Sequence, residues 1–154
     1  MEFGDFITTQ VRQMRKDKFD KSDQLSLGDI IDKMKIIINN HKNDEKDKKV
    51  FIQYDFEYLF PLTFSSWRGS YDELALDINM YDYSDKKPLT IGQFYKLCLD
   101  TIGVEFTGWK GGEYIMTRDT PVWVANAGHS GSTAIIDILD KEYEVLLITG
   151  YREF

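Results

Sequence analysis

At Val50 the spacing of apolar residues changes from about 3.6 to 2, and this change constrains the fold more than any other feature of the chain. Upstream, Leu27, Ile30, Ile31, Met34, Ile37 and Ile38 make one apolar face of a helix in LGDIIDKMKIIINN. Downstream, Val50, Ile52, Tyr54 and Phe56 alternate with Phe51, Gln53 and Asp55, as strand residues do when successive side chains point to opposite faces. The alternation is cleanest in DELALDINM. There Leu74, Leu76, Ile78 and Met80 share one side and Glu73, Ala75, Asp77 and Asn79 the other, which predicts a strand covered on one side only.

Helical spacing occurs in two further places. Phe3, Ile7, Val11 and Met14 predict an amphipathic helix, with the polar stretch KDKFDKSDQ as a linker behind it. Thr90 and Gln93 predict a capping box for IGQFYKLCLDTI, whose Ile91, Phe94, Leu97, Cys98 and Thr101 face the core and which Gly103 stops. Ser26 and Asp29 do the same for the helix at Leu27. HKNDEKDKK reads as a solvated loop. Beyond Gly103 come five short strand-like runs, VEFTGW, EYIM, PVWVAN, STAIIDI and YEVLLIT, separated by KGG, TRDT, AGHSG and DKE. Helices followed by strands, rather than a regular βαβ alternation, predict an α+β fold with a mostly antiparallel sheet and helices packed on one face. A chain of 154 residues is expected to form a single domain, with 1–24 as N-terminal helix and linker and 25–154 as the α+β core.

Composition narrows the function classes. A single cysteine, Cys98, excludes an internal disulfide and a cysteine-based zinc site, and two isolated histidines leave little for any metal. Cys98 itself reads as a small buried apolar residue. Residues 51–154 hold 16 acidic against 8 basic residues, and this acidic body repels a nucleic-acid backbone. No run of eighteen apolar residues and no basic-then-apolar leader is visible, so the expected location is the cytoplasm, with no membrane partner.

Between Phe106 and Ala134 the chain concentrates five of its eleven glycines and two of its three tryptophans. Gly111 and Gly112 signal a hairpin, Asp119 to Pro121 a turn, and Gly128 and Gly131 another turn. Trp109, Lys110, Tyr114, Arg118, Asn126 and His129 lie on or beside those turns, where loops at one end of a sheet commonly form sites. Upstream, Trp67-Arg68-Gly69 sets a planar, permanently charged fork beside open backbone, which suits phosphate or carboxylate. The alternatives are structural: Arg68 or Arg118 paired to a neighbouring Asp, Asn126 bonded to its own turn, His129 simply exposed. No nucleophile and base stand at a recognisable spacing, and no catalytic residue, cofactor or metal is expected.

The combination SSWRGSYDELAL, a capped helix, FTGWKGGEYIMTRDTPVWVANAG and STAIIDI resembles a family of small accessory proteins of tailed bacteriophages, over about Leu27 to Ile138. It is similar in turn to the Thoeris anti-defence sponges. That resemblance implies sequestration of a cyclic ADP-ribose isomer or a cyclic oligonucleotide, with Arg68 and Arg118 as phosphate contacts; a chain this small has little interior with which to enclose a charged ligand, so a homo-oligomer sharing the site is expected. Trp67-Arg68-Gly69, Ser130-Gly-Ser-Thr-Ala and Glu142-Tyr-Glu144 also resemble the arginine, serine and glutamate motifs of ADP-ribosyltransferases, although only about ten residues separate Thr133 from Glu144. A third reading is an acidic inhibitor of a host nuclease or other defence protein.

Overall fold

Two capping boxes start the two helices among the described residues. In helix α1 (Leu27–Asn40), the Asp29 amide donates to Ser26 Oγ at 3.1 Å and the Ser26 amide to Asp29 Oδ2 at 3.0 Å. In α2 (Ile91–Thr101), the Gln93 amide donates to Thr90 Oγ1 at 3.1 Å and the Thr90 amide to Gln93 Oε1 at 2.9 Å. Each such cap satisfies donors that a helix start otherwise leaves open, at about 1 kcal/mol. Gly103, at φ +81°, turns the chain out of α2 and gives its amide to the Met116 carbonyl at 2.7 Å. The structure is a computed structural model describing residues 23–40, 48–54, 57–66, 74–78, 86–107, 113–124 and 133–151. The expected Phe3–Met14 helix and most of the charged HKNDEKDKK run lie outside them.

The strands are β1 (Lys49–Tyr54), β2 (Glu57–Leu59), β3 (Pro61–Ser66), β4 (Leu74–Ile78), β5 (Glu105–Thr107), β6 (Glu113–Ile115), β7 (Val122–Val124), β8 (Thr133–Asp140) and β9 (Glu144–Tyr151). Seven form one sheet in the order β2-β1-β9-β8-β7-β4-β3. Four of its six pairings are antiparallel, while β1–β9 and β4–β7 are parallel. The fold is α+β, as the switch of period implies. One expectation needs correction: β5 and β6 do not join this sheet but form a two-stranded sheet of their own. Alternate residues of these short strands, Glu105, Thr107, Glu113 and Ile115, are exposed, so only Phe106 and Tyr114 are left to pack against the core.

Register sorts the main sheet into two faces. Val50 and Ile52 neighbour Val145 and Leu147, Ile138 pairs with Leu147, and Phe64, Leu76 and Val124 line up across β3, β4 and β7. These residues form one core with Leu27, Ile30, Ile31 and Met34 of α1 and Ile91, Phe94 and Cys98 of α2, and the Phe64 and Phe94 rings lie 6.4 Å apart. Both described helices therefore cover the same face. Lys48 anchors the β8–β9 turn to the start of β1, reaching Asp140 at 2.9 Å and the Lys141 carbonyl. Among the described residues no helix is long and apolar enough to cross a membrane.

Candidate functional site

The turn between β6 and β7 is made by two threonines. The Thr117 amide donates to Thr120 Oγ1 at 2.9 Å and the Thr120 amide returns to the Thr117 carbonyl at 3.2 Å. This turn is pressed against the first turn of α1, where the Leu27 amide donates to the Thr120 carbonyl at 2.9 Å and the Gly28 amide to the Arg118 carbonyl at 2.8 Å. Helix amides that would face water are thus held by the turn. The contact is close enough to require glycine: a Cβ on residue 28 would lie 2.9 Å from both the Cβ and the carbonyl oxygen of Arg118.

From this turn the Arg118 side chain runs back along α1. Its Nη2 donates to Asp32 Oδ2 at 2.7 Å and lies 3.4 Å from the Gly28 carbonyl. The partner is not the adjacent Asp119 but a residue 86 positions away, one helical turn beyond Gly28. Asp32 above all, then Asp119 and Asp29, hold the guanidinium above its ordinary pKa. Both side chains of the pair remain about half exposed, at 52% and 61%, so the fork stays open to solvent on one side.

Tyr114 sits at the centre of β6 opposite Phe106, half-buried against the core. Trp67, Arg68, Trp109, Lys110, Asn126 and His129 lie outside the described residues. The strands on either side still order their segments. Residues 67–73 join Ser66 of β3 to Leu74 of β4, which pair with each other, and Leu74 lies beside Val122 at the start of β7. Arg118 precedes that same start by four residues. Ser66, Leu74 and Val122 thus share one end of the main sheet, with Val122 four residues after Arg118.

Two features escaped the sequence reading. Glu105 and Glu113 are diagonal neighbours on the exposed face of the hairpin, and the hydrogen bond that a protonated Glu105 donates to Glu113, with the charge of Glu113, raises the Glu105 carboxyl above its ordinary pKa. Asp32 read only as a polar position on α1. The first was within reach, because a Gly-Gly hairpin with this register puts two carboxylates on one face; the second needed the tertiary contact. Burial pushes the Cys98 thiol far up, away from the thiolate a nucleophile needs. The ADP-ribosyltransferase arrangement fails on register: Thr133 pairs with Tyr151 and Asp140 with Val145, so Thr133 and Glu144 stand at opposite ends of the β8–β9 pair, roughly 20 Å apart at the rise of an extended strand. Among the described residues no three His, Cys, Asp or Glu side chains converge as for a metal. Comparison with protein-family models, with curated proteins and with solved structures gives no match.

Proposed function

We propose that this protein binds a phosphate-containing nucleotide signal, a cyclic ADP-ribose isomer or a cyclic oligonucleotide, and sequesters it without turnover, as a phage counter-defence protein in the host cytoplasm. The observation that supports this reading is the Arg118 fork, which holds the Asp32 carboxylate at 2.7 Å while about half of its side chain stays exposed to solvent. Asp32 holds the place on the Arg118 fork that a phosphate oxygen would take.

Electrostatics explains why two arginines are needed. Asp29, Asp32 and Asp119 surround one guanidinium, so a phosphate must displace Asp32 against two remaining carboxylates. Arg68 supplies the second positive charge. Incubation with NAD, cyclic ADP-ribose isomers and cyclic oligonucleotides is expected to raise the melting temperature with one of the cyclic compounds, which chromatography then recovers intact. Consumption of any of them would overturn sequestration. Because a small chain has little interior with which to enclose such a ligand, a homo-oligomer sharing the site is expected. Light scattering that gave only an 18.0 kDa particle would contradict that part.

A second reading, an acidic surface that blocks a host defence protein, is favoured by one observation. Glu105 and Glu113 remain side by side on an exposed hairpin that also presents Ile115 at 60% exposure. Replacing both with Lys separates the readings: nucleotide binding survives if the Arg68–Arg118 rim is the site, whereas inhibition of the host protein disappears if the hairpin is.

A further inference from the structure

The two ends of the main sheet meet. β2 and β3 stand at opposite ends of its strand order, yet Phe60 alone separates Leu59 from Pro61, so the sheet curls until its edge strands join. The β5–β6 hairpin stands outside this closure, with β5 near β3 and β6 as its outer strand. The Met116 amide donates to the Val104 carbonyl at 2.9 Å, which makes residues 104 and 116 a hydrogen-bonded pair. By the alternation of an antiparallel ladder, Phe106 and Tyr114 form the next such pair, and the amides and carbonyls of Glu113 and Ile115 point away from β5. Those four groups have no partner among the described residues. The corresponding groups of Thr117 are already taken by Thr120.

We propose that the outer edge of β6 takes up an extended segment of a partner protein as an added antiparallel strand, with Lys or Arg opposite Glu113 and a β-branched aliphatic residue opposite Ile115. An unpaired row of backbone donors and acceptors is a template for such a strand. The side chains choose which strand it is. Glu113 and Ile115 share the exposed face of the hairpin with Glu105, and Ile115 is 60% exposed. A residue paired with Glu113 stands about 5 Å from it, so a cation there offsets the repulsion between Glu113 and Glu105, while an aliphatic neighbour covers Ile115. A second copy of this chain suits the edge less well. The antiparallel register that pairs residue 113 of each copy with residue 115 of the other brings two further carboxylates to the same face. The inference rests on the second reading above and deepens it: the partner of the acidic hairpin is held through its backbone as well as by charge.

The test uses the full chain and a capped synthetic peptide, Thr-Lys-Thr-Val-Thr-Lys-Thr, whose Val can lie opposite Ile115 and a Lys opposite Glu113. Titration followed by heteronuclear NMR is expected to give saturable shifts at the Glu113 and Ile115 amides and slowed hydrogen exchange at both. N-methylation of the central Val is expected to weaken binding roughly tenfold, as for lost hydrogen bonds, whereas N-methylation of the Thr that follows it, whose amide faces away from β6, leaves binding unchanged. Ile115→Pro should abolish binding by removing an outward donor. Because proline can also break the hairpin, the methylated peptides carry the test on the unaltered protein. Binding that follows charge but is indifferent to both methylations would overturn strand addition and leave the acidic surface of the second reading standing. Full affinity in the Glu105→Lys, Glu113→Lys double variant would instead remove that surface, and the basic partner with it. Amides at 113 and 115 already protected without peptide, in a particle larger than 18.0 kDa, would give the edge to a second copy and overturn the proposal. So would the absence of any saturable shift.

Discussion

Gly28 is the residue whose identity the sequence least explains. Glycine near the start of a helix forfeits about 1 kcal/mol of helix propensity relative to Ala. The reason lies ninety residues away, where the backbone of Arg118 approaches too closely for a Cβ. Gly28→Ala is therefore expected to lower stability by about 1–3 kcal/mol, the usual cost of overpacking, despite the gain in propensity. Urea unfolding would check this, and a more stable variant would mean that the turn yields easily. Gly103, by contrast, has open space around its Cα, and its need is conformational: at φ +81° Ala costs about 1–2 kcal/mol. That glycine was legible as a helix stop. Gly28 was not, because its constraint comes from a distant turn.

At the scale of elements, both helices and their caps were readable, since Ser26 with Asp29 and Thr90 with Gln93 are local pairs three residues apart. The separate β5–β6 sheet was not, because strand-like residues do not say which strands they will join. Its Glu105–Glu113 pair gives a prediction with a definite sign. The folded-state pKa of Glu105 lies above its unfolded value, so its contribution to stability is fully present below about pH 4.3 and is lost as pH rises through the raised value. Glu105→Gln is thus expected to raise the melting temperature at pH 7 more than at pH 4. Thermal unfolding of both proteins across that range tests it; a gain independent of pH would assign the effect to something other than repulsion.

For the molecule as a whole, the period change at Val50 carried the fold class, and the mixed strand order decided which loops could meet. Sequence alone could group every glycine-flanked polar residue from Trp67 to His129. The β4–β7 pairing sets Leu74 beside Val122, four residues after Arg118, while Arg68, Asn126 and His129 lie outside the described residues. It also leaves Arg118 with two competing roles, as a clamp on α1 through Asp32 or as a phosphate contact that Asp32 occupies until ligand arrives. Calorimetric titration with the cyclic nucleotide that shifts the melting temperature, on the wild type, Arg118→Ala, Arg118→Lys and Asp32→Asn, distinguishes them most directly. The account predicts binding weakened roughly ten- to a hundredfold by Ala, as expected for a lost hydrogen bond to a charged group. It predicts partial recovery with Lys, which lacks the bidentate fork, and severalfold tighter binding with Asn at position 32. Unchanged affinity in Arg118→Ala, with Arg118→Ala and Asp32→Asn melting at the same lowered temperature, would contradict it and leave the arginine as a clamp alone.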